Sequence, residues 1–429
     1  MAAPTFRAPK GTRDILPPES ARRRALVDRF AATAALSGFG ELVSPIFEDL
    51  GVFQRIGEAT DVVTKEMFDF FDKGDPPQHL ALRPELTASV CRAFAEHRPV
   101  APWKVWYEGP QFRYEQPQAG RYRQFTQVGV EVLGTDDPQA DVDVIALAAR
   151  FFESIGLGRV HLSINSLGDA TCRPAYLDAL TAHFHEHHDR LSVQSQVTLE
   201  RNPLRVLDSK RRQDQEIIDA APVMVDFLGA DTGAHFDAVR VGLDSLGIGY
   251  DISPRLVRGL DYYTRTTFEF AADALESAQN AVGGGGRYDG LVEDLGGPPT
   301  PGIGFALGVD RILLACDAEE AFAPPATAVS VFVVDVTGGG RALDVCERLR
   351  GVGIGADRSY GGRSMKAQMK VADRSGARFA VIIGEDEVAA GEVTLRDLRG
   401  DGGQRRVAAD ALVDEVRPPT PLSTIDEDT

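Results

Sequence analysis

Apolar and polar positions alternate along this chain in blocks that change period several times. Residues 21–40 (ARRRALVDRFAATAALSGFG) follow the start signal Pro17-Pro18-Glu19-Ser20 and predict a helix closed by Gly38. Residues 41–49 (ELVSPIFED) predict a strand in which Pro45 fits only an edge or a bulge. Residues 78–94 (QHLALRPELTASVCRAF) predict a strand turning into a helix, with Thr87 near the helix start. Two β-rich runs, 103–115 (WKVWYEGPQFRYE) and 124–134 (QFTQVGVEVLG), are joined by QPQAGRY and predict an antiparallel hairpin with a long tip. A helix over 137–156 and a strand over 160–168 follow.

From about 172 to about 247 the pattern changes to polar helices, and the β-rich pattern then resumes, so this stretch predicts an inserted helical subdomain. Beyond it, DYYTRTTFEFAA is an alternating strand, AVGGGGRYDGLV a glycine turn between elements, and PGIGFALGVDRILLA a strand entering a helix. The Pro/Ala-rich run AFAPPATA ends this body near residue 328. Strands then alternate with helices through about 415 (VSVFVVDV, RALDVCERLRGVG, IGADRSY, SMKAQMKVADRSGA, RFAVIIG, GEVTLRD), predicting a small α/β domain on a mostly parallel sheet. Residues 416–429 form an acidic tail. The fold class expected is α+β: a body over 1–328 around an antiparallel sheet, a helical insertion over about 172–247, and an α/β module over 329–415.

Length and composition fit that reading. A chain of 429 residues with 43% hydrophobic positions has material for two or three cores. Its four cysteines, Cys91, Cys172, Cys316 and Cys346, stand alone without zinc or disulfide spacing, which predicts a reduced, intracellular chain. The N-terminus carries charges and prolines where a signal peptide needs an apolar core, and no run approaches a membrane span, so a soluble cytoplasmic protein is expected. The net charge of -18 argues at first against nucleic acid. Local sums reverse that argument. Residues 341–379 hold nine cations against four anions, and 111–125 hold three arginines against Glu115, whereas 385–429 hold five cations against twelve anions. Phosphate contact needs a basic patch rather than a basic protein.

Common catalytic patterns are missing: there is no GxxxxGK[ST], GxSxG or HExxH. Gly302, Gly304 and Gly308 form GxGxxxG, which does not fit a dinucleotide fingerprint. His183, His185, His187 and His188 lie in a polar helix without cysteine partners and predict a solvated face, with no metal site. Arginines recur beside turns in otherwise apolar, β-rich segments: Arg83, Arg113, Arg258, Arg287 and Arg311. Burying such cations costs several kcal/mol each unless anions meet them, either as structural ion pairs or as a bound polyanion such as a triphosphate. Glu85, Thr87, Gln127, Glu131, Tyr262 and Tyr263 supply acceptors and aromatic hydroxyls suited to an ammonium or an imidazole N–H. A phosphate clamp beside an ammonium pocket predicts an amino-acid-activating enzyme.

The residues also carry a resemblance. FRYEQPQAGRYRQF followed by QVGVEVLG resembles motif 2 of class II aminoacyl-tRNA synthetases, PGIGFALGVDRILLA resembles motif 3, and the segment around Pro45 is similar to motif 1, which in that family forms a dimer interface. RGLDYYTRTTFEF and AVGGGGRYDGLV are similar to the two signature segments of the histidyl-tRNA synthetase family, and KGTRDILPPE, LALRPELTASVCRA and NPLRVLDSK fit it too. Residues 364–398 resemble that family's anticodon-binding domain.

The resemblance implies a residue-by-residue assignment. Arg113 matches the arginine on the ATP α-phosphate and Arg311 the one on the γ-phosphate. Glu115 and Phe125 match positions around the adenine. Glu85, Thr87, Gln127, Glu131, Tyr262 and Tyr263 match the histidine pocket. Arg258 matches a catalytic arginine near the α-phosphate that does work other class II enzymes give to a metal ion. Arg121 and Arg123 fall where the acceptor end of tRNA approaches. ATP with accompanying Mg²⁺, L-histidine and histidine tRNA are the implied ligands, in a homodimer that uses neither DNA nor a membrane. Leu86 departs from the family pattern, which favours a small residue there, and the GGGG run is richer in glycine than usual. A regulatory paralogue of the family shares the catalytic body without making aminoacyl-tRNA, but it typically lacks the RGLDYY signature and the anticodon domain.

Overall fold

The computed structural model describes residues 5–55, 65–118, 120–257, 262–275, 280–326, 329–400 and 402–417. The chain divides into two compact units between Pro324 and Pro325. In the first unit, α1 (Glu19–Leu36) ends as expected at Gly38, whose φ of 78° suits glycine. Next come β1 (Gly40–Glu41), β2 (Phe47–Asp49), α2 (Leu50–Gln54), β3 (Phe68–Phe71), β4 (His79–Leu82) and α3 (Thr87–His97). The hairpin of β5 (Trp103–Phe112) and β6 (Gln124–Leu133) leads into α4 (Pro138–Ser154) and β7 (Val160–Ser166). Helices α5 (Arg173–Glu186), α6 (Val193–Leu199), α7 (Arg212–Asp219) and α8 (Ala230–Ser245) precede β8 (Asp251–Ile252) and β9 (Thr264–Ala272). The unit closes with β10 (Ala281–Arg287), α9 (Leu291–Asp294), β11 (Gly302–Gly308) and α10 (Val309–Ala318).

Eight strands form one sheet in the order β1-β5-β6-β11-β10-β9-β7-β8, antiparallel throughout except for the two outermost pairs. Period-2 alternation divides its residues between two cores. Val128, Val130 and Val132 of β6 pack with Phe268, Phe305 and Leu307 beneath α1, α4 and α10, whereas Val105, Tyr107 and Leu133 join Val90, Cys91 and Phe94 of α3 on the opposite face. That second face carries the polar residues of interest, because Glu131 and Gln127 alternate with the valines.

Two expectations for this unit need correction. The single strand over 41–49 is two strands in different sheets. β1 pairs parallel with β5, and β2 joins the three-stranded sheet β2-β4-β3. Pro45 lies at the break, and the buried Arg83 guanidinium donates to the carbonyls of Ser44, Pro45 and Pro110 (2.9, 3.2 and 2.9 Å), satisfying the backbone where the chain changes sheets. The expected glycine turn is instead the interior strand β10, in ladder register with both β9 and β11. Glycine is required there by proximity: a Cβ on Gly285 would lie 1.9 Å from the Gly304 carbonyl oxygen.

The expected helical insertion contains two kinds of packing. Tyr176, Leu180, Phe184, Leu199, Leu207, Ile217 and Met224 form a core of their own, while Phe236, Val239 and Leu243 of α8 belong to the main core with α4.

The second unit comprises β12 (Val331–Asp335), α11 (Gly340–Gly351), β13 (Ala356–Arg358), α12 (Met365–Arg374), β14 (Phe379–Ile383), α13 (Glu385–Ala390), β15 (Glu392–Asp397), β16 (Gln404–Ala408) and α14 (Leu412–Val416). Its sheet, ordered β13-β12-β14-β15-β16, has parallel pairing among the first three strands and antiparallel pairing among the last three. The mostly parallel sheet expected is therefore half antiparallel. The added strand β16 (QRRVA) has one buried position, so its apolar signal is weak.

Candidate active site

A cavity of about 260 Å³ opens on the polar face of the large sheet. Its floor is β6, β10 and β11, its rim is the β5–β6 hairpin, and α3 and the approach to β9 close one end. Glu85, Thr87, Arg113, Glu115, Arg121, Phe125, Gln127, Tyr262, Tyr263 and Arg311 all line it. Both tyrosines reach the cavity because they precede β9, where strand alternation does not constrain them.

One end of the cavity is a buried carboxylate pocket. Glu85 accepts the free amides of Thr87 and Ala88 at 2.8 Å each, so it caps the start of α3. Burial nevertheless raises its pKa. Glu131 lies one layer beneath the lining residues. Its Oε1 accepts the Thr87 hydroxyl at 2.7 Å and the Tyr107 hydroxyl at 3.1 Å, and its Oε2 accepts the Tyr288 hydroxyl. Burial pushes Glu131 up to about 8. Glycines make room for this network: a Cβ on Gly304 would lie 1.6 Å from Glu131 Oε2, and one on Gly129 would lie 2.4 Å from the Tyr107 ring. Leu86 leaves the pocket wall untouched, since its side chain is buried in the core with Val90 and Tyr288.

The other end is cationic. Arg113 donates through Nε to Pro84 O at 2.8 Å and holds its guanidinium 5.3 Å from the centre of the Phe125 ring. Arg311 is anchored through Nε to Ala281 O, and its Nη2 is buried without a hydrogen-bond partner among the described residues. Burial and the nearby Arg121 guanidinium hold Arg311 below the ordinary arginine range. Glu115 lies 3.8 Å from the Arg121 guanidinium and offsets only part of this charge, so the cationic end still favours a bound anion. Gln127 Oε1 is likewise buried and unpartnered, so the floor presents an acceptor as well.

Not every arginine of the sequence pattern gathers here. Arg83 is spent on the sheet crossing. Arg287 is fully buried and pairs with Asp141 at 2.7 Å, with further bonds to the Thr135 and Asp137 carbonyls. Arg123 is not a lining residue: it stacks 3.6 Å from the centre of the Tyr114 ring and donates to Glu115 O, bracing the hairpin. Arg258 lies outside the described residues. Among the described residues no cluster of three or more His, Cys, Asp or Glu could hold a metal. His183 bonds the Ile217 carbonyl at 2.8 Å and packs edge-on against His187.

Comparison with known proteins adds to this geometry. A histidyl-tRNA synthetase family model matches residues 11–312, and an anticodon-binding-domain model matches 329–418. The chain belongs to the histidyl-tRNA synthetase family. It is 50% identical to the histidine–tRNA ligase of Rhodococcus erythropolis over 96% of this chain and 98% of that one, and 47% identical to that of Nocardia farcinica over the same shares. The apo histidyl-tRNA synthetase of S. aureus superposes with a TM-score of 0.80 at 36% identity, covering 96% of this chain and 100% of that chain.

Several residues in and around this cavity were not singled out in the sequence. Tyr107 and Tyr288 complete the Glu131 network, and Glu269, Tyr122 and Asp310 line the cavity. Tyr107 was accessible from the hairpin register, which sets it opposite Gly129 on the face of Glu131. Asp310 is the hub of the rim, pairing with Arg23 at 2.6 Å and Arg13 at 3.3 Å.

Proposed function

We propose that this chain is a histidine–tRNA ligase: it activates histidine with ATP, releasing pyrophosphate, and passes the histidyl group to the 3′-terminal ribose of its tRNA. The observation that carries this reading is the polarity of one cavity, with guanidiniums of Arg113, Arg121 and Arg311 at one end and, at the other, the Glu85 carboxylate with Glu131 beneath it. ATP phosphates suit the cationic end, the adenine suits the space beside Phe125 and Glu115, and the histidine ammonium and imidazole suit the carboxylate end with Gln127, Thr87, Tyr262 and Tyr263. The histidine carboxylate attacks the α-phosphorus in line; the bond to the β-phosphate oxygen breaks and pyrophosphate departs. Arg113 and Arg258 neutralise the charge growing on the α-phosphate, and Arg311 holds the leaving end. No covalent enzyme nucleophile takes part.

Mg²⁺ enters with the ATP phosphates as part of the substrate, and Glu269 is a lining carboxylate suited to a hard cation. Arg121, at the hairpin tip, faces the approach of the tRNA acceptor end. The chain works in the cytoplasm as a homodimer joined around the Pro45 segment. The anticodon-domain match over 329–418 favours the ligase over the regulatory paralogue.

Histidine-dependent ATP–pyrophosphate exchange tests the proposal. The intact protein exchanges, and Arg311→Ala loses at least about a hundredfold in kcat/KM, as expected for removing a charged contact to the departing pyrophosphate. A folded protein without histidine-dependent exchange overturns the reading.

A further inference from the structure

The wall of the histidine pocket has an open back. Tyr263 lines the catalytic cavity and also a second cavity of about 290 Å³, formed with Leu167, Leu177, Leu204, Val257 and residues of the helical insertion. The Tyr263 side chain is buried in the core with Leu86, Val90 and Tyr288, and its ring lies 4.6 Å from that of Tyr262, so what a tether adds is the placing of the backbone that carries it between the two cavities.

Arg173 is that tether. It is the first residue of α5, where the insertion leaves the catalytic sheet. Its Nε donates to Leu167 O at 3.1 Å and its Nη2 donates to Tyr263 O, so one rigid fork spans the end of β7 and the approach to β9. Surrounding contacts fix the fork's own base. Leu167 N donates to Arg265 O at 2.7 Å, and Arg265 N donates to Gly168 O at 2.7 Å. Arg265 holds a φ of 47° in this arrangement, a conformation unusual for a side chain of its size. Asp169 accepts the amides of Thr171 and Cys172 and the hydroxyl of Thr232, which ties the first turn of the insertion to α8.

We propose that Arg173 is a positioning residue for histidine binding: through its bond to the Tyr263 carbonyl, the root of the helical insertion sets the place of the Tyr263 wall. The inference rests on the ligase reading of the cavity. Arg173 touches no substrate, so its loss affects the amino acid and spares the nucleotide.

The test is pyrophosphate exchange with histidine and ATP varied separately, on the intact protein, Arg173→Ala, Arg173→Lys and Arg255→Ala. Arg255 provides the control: it also bonds carbonyls of the insertion, at Asp219, Ala221 and Pro222, but not Tyr263. Losing one or two bonds from a charged donor at a pocket wall raises the histidine KM roughly tenfold or more in Arg173→Ala. The ATP KM stays within about twofold, a single ammonium in Arg173→Lys gives an intermediate histidine KM, and Arg255→Ala lowers the thermal midpoint with the histidine KM unchanged. An unchanged histidine KM in folded Arg173→Ala overturns the inference, as does an equal rise in Arg255→Ala. Should Arg173→Ala not fold, a wild-type histidine KM in Arg173→Lys overturns it. Absence of exchange from the intact protein would instead overturn the ligase reading.

Discussion

At the scale of the single residue, Glu131 shows which of two opposed effects wins. Three hydroxyls, from Thr87, Tyr107 and Tyr288, donate to it and favour the carboxylate, yet burial and the neighbouring Glu85 favour the acid, and the net result is a value near 8. On the proposed reading, an ionised histidine ligand would supply positive charge to this pocket. In the free protein the proton has a measurable consequence. The unfolded chain releases it near the ordinary glutamate value of 4.5, whereas the folded chain keeps it until about 8. The folded state therefore holds the extra proton between those values, and stability falls as pH rises from 4.5 to 8. Glu131→Gln removes this slope. Thermal unfolding without ligands is expected to show the variant gaining on the parent protein as pH climbs through that window, and a pH-independent difference would mean that Glu131 is ionised throughout. The identity of Glu131 was legible from strand alternation and from the family pattern. Its partner Tyr107 could have been placed from the hairpin register, but Tyr288 could not, because it comes from the turn after β10 and only the folded sheet brings it beside Glu131.

At the scale of the element, local sequence was a good guide wherever side chains announce their period, and a poor one where glycine removes them. The helices α1, α3 and α4 and the hairpin β5–β6 lie where apolar spacing puts them. The run Gly283–Gly286 carries no period at all, and glycine's usual place in turns misdirects the reading. Its assignment as a strand follows from neighbours distant in sequence: β9 on one side and β11 on the other supply every ladder bond. Such a strand should tolerate no added carbon. Gly285→Ala places a Cβ 1.9 Å from Gly304 O and 2.7 Å from Phe305 Cα, both in the adjacent strand. We expect this overpacking to destabilise the first unit by about 1–3 kcal/mol. Gly233, in the interior of α8 with nothing within 4 Å of its added Cβ, is the contrasting case. Gly233→Ala should stabilise by about 0.5–1 kcal/mol through helix propensity. Denaturant unfolding of both variants measures the difference, and equal effects would mean that β10 is more plastic than its contacts imply.

At the scale of the whole molecule, the two units divide the chemistry between them. Every lining residue of the cavity lies in the unit that ends at Pro324, so on the proposed reading histidine activation is expected to need only that unit. The second unit has its own cores, built on Val331, Val333 and Val381 on one face of the sheet and on Phe332, Val334 and Ala380 on the other. It also holds the basic stretch 341–379, with nine cations against four anions, in a chain whose net charge is -18. Residues 341–379 span α11, β13 and α12, and Arg341, Arg363 and Lys366 there are exposed. An acidic protein that binds RNA must do so through such a patch, and the resulting affinity depends on salt. Deleting residues 329–429 is therefore expected to leave histidine-dependent pyrophosphate exchange within a few-fold of the full chain. Aminoacylation should instead lose tRNA affinity by orders of magnitude, with a shallower salt dependence of the remaining KM because fewer phosphates are neutralised. Measuring both reactions between about 50 and 200 mM salt separates the outcomes. A parallel loss of exchange and charging would make the second unit a structural support for the catalytic cavity, and an unchanged salt slope would move the principal tRNA contacts to Arg121 and its neighbours on the β5–β6 hairpin.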